Sequence, residues 1–289
     1  MYAPGDEPTR ARMTAALADA AHRLDVTVSG PPSWGWMGRT VGSRAGTACW
    51  LRVASSMKGR TLELVPGEGA AGAQERVPED VPRPRLHDIL TWTTGPYTYI
   101  AELSDHAMVP VVSPGRCDLT EDPGLPEQWW DDLFRALGAL AMTGAGVRAT
   151  VTDVWVRRAF PHFLGIPAPD SVSRVTGHGD LQWANLTQAP LTLLDWERWG
   201  RVPVGFDAGL LHVCSLAVPT VAEQVLDVFG DILGTEAGRV GELCAIAEMR
   251  QAVARGSYRD LAKPLHARAE ALTGVRPPDT PSPELPPLA

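Results

Sequence analysis

Lysine is almost missing from this chain of 289 residues: there are two, Lys58 and Lys263, against 24 arginines. A site in the N-terminal half that needs a fixed cation therefore turns to arginine. Positive charge is short overall, because 26 Lys and Arg stand against 34 Asp and Glu, for a formal net charge of −8. A surface of that sign does not attract a phosphate backbone, so general nucleic-acid binding is excluded. Cysteine is sparse and scattered, and Cys49, Cys117, Cys214 and Cys244 form no C-x-x-C or Cys/His pair of the zinc-binding kind. They read as core thiols of a reducing cytoplasm. Long apolar runs are absent too, since none reaches the roughly 18 to 20 residues that span a bilayer. Asp6 and Glu7 stand where a secretory leader would be basic and apolar. The expectation is a soluble, cytoplasmic protein with no membrane partner.

What is present is concentrated between Thr176 and Trp199. His178-Gly179-Asp180 is followed after four residues by Asn185, then by the apolar strand Leu191 to Leu194, which delivers Asp195. That is the spacing of a kinase catalytic loop followed by a metal-binding carboxylate. Phosphate attacked by a hydroxyl needs one carboxylate to orient or accept the proton, and oxygen ligands to hold Mg²⁺ on the nucleotide. Asp180 is the candidate catalytic residue, and Asn185 and Asp195 are the candidate metal ligands. His178 reads as a structural hydrogen-bonding residue, and Glu197 as a supporting partner or a salt-bridging strand end.

At these residues, H-G-D-L-x-x-x-N-L followed by L-L-D-W-E, the chain resembles the aminoglycoside phosphotransferase family, small-molecule kinases of the protein-kinase-like fold. The resemblance implies an α+β fold of two lobes. A small N-terminal antiparallel sheet lobe would span residues 1–104, and a larger, mainly helical C-terminal lobe residues 105–274. It further implies ATP or GTP with Mg²⁺, and a small-molecule hydroxyl as the acceptor, such as an aminoglycoside, another antibiotic, an amino alcohol or a sugar. Asp207, in Pro203-Val-Gly-Phe-Asp, matches an aspartate that fixes the catalytic loop.

The N-terminal half fits that order. Met13, Leu17, Ala20, Ala21 and Leu24 recur at helical spacing and predict a first amphipathic helix over Thr9 to Leu24. Val26 to Val28 reads as a strand stopped by Gly30-Pro31-Pro32, Trp36 to Val41 as a second, and Thr47 to Ala54 as a third. The phosphate-covering loop falls on Gly30 to Gly35, or in another registration on Gly42 to Gly46. In the family's terms the third strand supplies the phosphate-binding cation, here Arg52, paired to a helix glutamate for which Glu68 and Glu75 are the candidates. The hinge falls on Ala101 to Ser104, so that backbone groups at Ala101 and Leu103 meet the nucleotide base.

In the C-terminal half, Trp129, Trp130, Leu133, Phe134, Leu137 and Leu140 predict a helix over Glu127 to Met142. Further helices are expected over 151–163, 210–218, 221–233, 237–254 and 258–272. Their acids, among them Glu223, Asp227, Asp231, Glu242 and Glu248, could greet a cationic acceptor, although helix surfaces carry such charges routinely. The proline-rich tail, 275–289, reads as extended or disordered. The competing reading is a catalytically weak or inactive nucleotide-binding pseudokinase-like module. It draws on the prolines in the phosphate loop, the missing lysine and the poorly formed helix after residue 63.

Overall fold

The computed structural model describes residues 3–58, 69–144, 148–279 and 281–286. The chain divides into two compact units. The smaller contains residues 1–77, 82–110 and 192–197, and the larger contains 78–81, 111–191 and 198–289. The boundary near residue 110 lies a few positions beyond the expected 104. The short stretch carrying Asp195 and Glu197 belongs to the smaller unit.

In the smaller unit a long helix packs on one face of a sheet. Helix α1, Glu7–Arg23, begins at Asp6, whose carboxylate accepts from the Thr9 N–H at 2.7 Å, with Pro8 in its first turn. The sheet is antiparallel, with strands β1 Val28–Trp34, β2 Thr40–Ala45, β3 Cys49–Met57, β4 Leu86–Thr94 and β5 Tyr97–Asp105 in the order β1-β2-β3-β5-β4. Met13, Ala16, Leu17, Ala20 and Ala21 of α1 pack on Val41, Leu51, Val53, Tyr99 and Ala101. Side chains alternate across a strand. Since Leu51, Val53 and Ala101 face the helix, Arg52 and Glu102 project from the opposite face. Register places the two directly across from one another on β3 and β5.

Two strand expectations are corrected here. β1 runs through Gly30-Pro31-Pro32 instead of stopping, because it is an edge strand and its register breaks between Ser29 and Ser33. Proline is tolerated at such a place, where no ladder donor is required. The connection between β1 and β2 is consequently Gly35 to Arg39, with a 3₁₀ turn at Trp36–Gly38. Neither expected phosphate loop is a loop throughout, since Gly42 lies inside β2. Gly42 is bare because the indole of Trp50 lies over it: a Cβ there would meet the ring at 2.6 to 2.8 Å. The helix expected after β3 is the short α2, Gly69–Arg76. Glu68 lies outside the described residues.

The larger unit is mainly helical, with one small ladder of β6 Arg174–Gly177 and β7 Gly200–Pro203. Helix α3, Glu127–Met142, carries the anticipated aromatic stripe. Trp129 and Trp130 cluster with Trp183, and the Trp129 indole donates to the Thr187 carbonyl at 2.9 Å. Helix α4, Asp153–Ala159, continues into a π turn at Phe160–Leu164. Helix α5, Phe206–Ser215, is buried along its whole length, and α6, Pro219–Leu233, α7, Glu236–Ala254, and α8, Ala262–Thr273, complete the unit.

Of the proline-rich tail, residues 275–279 and 281–286 are described. Several of its backbone carbonyls accept from side-chain donors, because a chain rich in proline presents carbonyls with few competing N–H groups. Arg158 donates to the carbonyls of Leu285 and Pro286, His162 bonds to Ser282, Gln251 to Pro283 and Arg250 to Pro278.

Candidate active site

The loop at His178 to Asn185 is built in the larger unit from a buried carboxylate upward. Asp207, in the first turn of α5, accepts the backbone N–H of His178 at 2.7 Å and of Gly179 at 2.8 Å. Burial pushes its carboxyl above the usual range, although the two N–H donors and His178 oppose that shift. Its role in fixing the loop is as anticipated. Gly179 has φ +79°, and a Cβ there would strike the Arg198 carbonyl and approach the Thr150 hydroxyl, so glycine is required. His178 is fully buried, and its Nδ1 accepts the Asp180 N–H at 3.3 Å, which makes it structural.

Asp180 emerges from this frame half-buried, with each carboxylate oxygen engaged. Asn185 Nδ2 donates to Oδ2 at 3.0 Å and to the Asp180 carbonyl at 2.9 Å. Asn185 therefore spends its amide nitrogen on Asp180, and its amide oxygen is the atom of that side chain that could meet a hard cation. Arg198 Nη1 lies 3.4 Å from Asp180 Oδ1 and is itself forked onto Glu248, at 2.6 and 3.1 Å. Of the acids expected to greet a cation, Glu248 is thus held by Arg198. Glu242 is buried against His212 and Arg268, and Glu223, Asp227 and Asp231 lie exposed along α6.

The second cluster lies in the smaller unit, on the sheet face away from α1. Arg52 pairs with Glu102 at 3.3 Å, with Asp195 at 3.3 Å, and with Glu197. Asp195 has φ +61°, a left-handed backbone that a non-glycine residue rarely adopts and that concentrates at functional positions. Burial pushes the Glu102 carboxyl up and the neighbouring Glu197 charge adds to it, against the pull of Arg52. Three carboxylates around one guanidinium carry a formal charge of −2. Such an oxygen-rich, electronegative cluster suits a hard divalent cation. Among the described residues no group of three or more His, Cys, Asp or Glu is arranged to hold a metal by itself. A Mg²⁺ that keeps water and phosphate oxygens among its ligands does not require one.

Of the two helix glutamates expected beside Arg52, Glu68 lies outside the described residues. Glu75 is exposed on α2, and the acids on Arg52 come from β5 and from the segment after β6. Ala101 and Leu103 are the expected base contacts. Both lie mid-strand in β5, flanked on both sides by β3 and β4, and their side chains pack toward α1. Their backbone groups are spent on the sheet, and the chain leaves it only after Asp105. Glu102 and Arg198 were not singled out from the sequence, and Glu248 only as one acid among several. Strand register and helix packing bring them in, and neither is written in residue spacing.

No helix among the described residues is long and apolar enough to cross a membrane. No protein-family model matches the chain, and no curated protein matches it. Solved structures do. A thermostable mutant of aminoglycoside phosphotransferase APH(4)-Ia matches with TM-score 0.57 at 15% identity, over 89% of this chain and 97% of that one. Amicoumacin kinase hAmiN, in complex with AMP-PNP and Ca²⁺, matches with TM-score 0.55 at 11% identity, over 95% and 97%. The GDP and kanamycin complex of APH(2")-IIia matches with TM-score 0.53 at 15% identity, over 93% and 99%. With an antiparallel sheet unit followed by a helical one, the chain has the α+β, kinase-like fold of the aminoglycoside phosphotransferases.

Proposed function

We propose that this protein is a small-molecule kinase that moves the γ-phosphate of ATP or GTP to a hydroxyl group. The observation that carries the reading is Asp180. It is presented by a loop that a buried aspartate holds by two backbone N–H groups, and it is bonded to the Asn185 of its own motif. A chain that had lost transfer chemistry would not need that frame.

Asp180 accepts a hydrogen bond from the acceptor hydroxyl and takes its proton as the oxygen bonds to the γ-phosphorus and the nucleoside diphosphate leaves with the bridging oxygen, a positioned proton transfer worth about 10²- to 10⁴-fold. Asn185, through its amide oxygen, and Asp195, through its carboxylate, are the residues that would hold the divalent cation. That ion would neutralise charge on the phosphates. Arg52 takes the phosphate-binding role, and its three acids hold the guanidinium in place meanwhile. The prolines once assigned to the phosphate loop lie in an edge strand, and arginine is well supplied with partners. These facts weaken two of the three grounds for an inactive module.

The test is thermal unfolding with Mg²⁺ and ATP or GTP, followed by a nucleoside-diphosphate release assay across hydroxyl compounds. A nucleotide at a hundred times its Kd stabilises the fold by about 2.7 kcal/mol. We expect one of the two nucleotides to raise Tm, Asp195→Ala to abolish the Mg²⁺-dependent part, and Asp180→Asn to keep it while transfer falls at least about 10²-fold. No stabilisation by either nucleotide at millimolar concentration sinks the proposal. The acceptor is to be sought among neutral as well as cationic compounds, because the helix acids named above are paired or face outward.

A further inference from the structure

Glu248 is a helix residue of α7 that no motif includes, yet it ends a short relay on Asp180. Its two oxygens receive Nη1 and Nη2 of Arg198 at 2.6 and 3.1 Å, the forked geometry that fixes a guanidinium plane. That plane brings Nη1 within 3.4 Å of Asp180 Oδ1, and the Arg198 carbonyl is separately tied by the Thr150 hydroxyl. On the other side, Asn185 holds Oδ2 at 3.0 Å. Donors placed on both oxygens stop the carboxylate from rotating.

We propose that Glu248 is a positioning residue for phosphotransfer: acting through Arg198, it sets the direction in which the Asp180 carboxylate meets the acceptor hydroxyl. The inference rests on the role given to Asp180 above. A bland salt bridge is the alternative. Arg198, Asp180 and Glu248 retain side-chain exposures of 26%, 24% and 29%, a range in which ion pairs add little to stability. Breaking this pair should therefore show in turnover before it shows in folding. Small misplacement of a reacting group costs as much as about 10²-fold in rate.

The experiment is steady-state kinetics on the full chain with Mg²⁺, nucleotide and the best acceptor, for Glu248→Ala, Glu248→Gln, Arg198→Met and the Arg198→Met/Glu248→Ala double variant. We expect Glu248→Ala to lower kcat about 10- to 100-fold with nucleotide KM within about twofold and Tm nearly unchanged. Glu248→Gln, which still accepts from the guanidinium, recovers part of the rate. The double variant is no slower than Arg198→Met alone, because the effect of Glu248 passes through Arg198. Full kcat in Glu248→Ala, or losses that multiply in the double variant, overturns the role of Glu248 and leaves the kinase reading standing. A wild type that transfers phosphate to no acceptor and not to water overturns the kinase reading, and the positioning role with it.

Discussion

Arg52 stands mid-strand on β3 and Arg198 just before β7, and each gathers carboxylates in its own unit by a different route. Arg52 meets Glu102 because register sets them opposite on adjacent strands, then takes Asp195 and Glu197 as well. Arg198 meets Asp180 and Glu248, the latter from a helix fifty residues on. The first cluster has three acids to one base and the second has two. Its larger excess of negative charge marks the Arg52 cluster as the place that gains most from a bound cation, while the Arg198 cluster is nearer balance and suits orientation. On the proposed reading, one arginine supports a charge-neutralising site and the other aims a side chain.

Replacing each arginine with methionine separates the two most sharply. Arg52→Met takes the guanidinium away from Glu102, 16% exposed on the sheet face, and from Asp195 and Glu197, 32% and 35% exposed. Removing one partner of such a largely buried pair costs about 3 to 5 kcal/mol. Arg198→Met removes a more exposed partner and costs about 0 to 1 kcal/mol. Urea unfolding of the two variants should therefore differ by several-fold in ΔΔG. Equal losses would mean that the excess charge at Arg52 is already relieved, and the contrast between the clusters would fail. Added Mg²⁺ should narrow the gap by neutralising the stranded acids, a change readable in Cm without any turnover.

What the sequence could reveal of these clusters follows from how each is built. The order Asp180, Asn185, Asp195, Asp207 was legible because it is local, polar and regularly spaced. Helices α1, α3, α6 and α7 were legible because each keeps an apolar face at a period of 3.6 residues. The strands slipped for a physical reason: Gly42 and Pro31 are breakers in isolation. One is needed under the Trp50 indole, and the other is harmless on an edge. Glu102 could not be matched to Arg52 without the β3 to β5 register, and Glu248 could not be matched to Arg198 without helix packing. The contacts of the tail could not be read from the sequence because its carbonyls take donors from three separate places, α4, the π turn and α7.

A third cluster tests whether burial, and not the number of acids, decides the cost. Glu242 is fully buried between His212 and Arg268, with bonds of 2.7 and 2.9 Å. Burial pushes its carboxyl up, but the hydrogen bonds from His212 and Arg268 outweigh that, and the net shift is downward from 4.5. A depressed acid adds stability that is present above its unfolded value and lost as pH falls through the folded one. Glu242→Gln should thus cost about 2 to 3 kcal/mol at pH 7. The difference from wild type should close progressively below about pH 4.5. A gap that stays constant with pH would assign the loss to packing and remove Glu242 from the comparison.

Arg250 completes the series as a buried arginine whose hydrogen bonds go to backbone carbonyls. It is 6% exposed on α7, and its donors go to the carbonyls of Phe163 and of Pro278 in the tail. Burial pulls its guanidinium down from the usual value, and the charge of Asp279 resists. Both compensating groups beyond Phe163, the Pro278 carbonyl and the Asp279 charge, arrive with the tail. Ending the chain after Gly274 leaves a buried cation with half its acceptors, a loss of about 1.5 to 3 kcal/mol for a hydrogen bond to a charged group, partly offset by water reaching the vacated side. We expect the shortened chain to lose about 1 to 2 kcal/mol in urea unfolding. Arg250→Met should be tolerated better in the shortened chain than in the full one, since there it removes a stranded charge and no tail contact. If truncation leaves Cm unchanged, the tail carbonyls are replaceable by water, and Arg250 needs neither acid nor tail to stay buried.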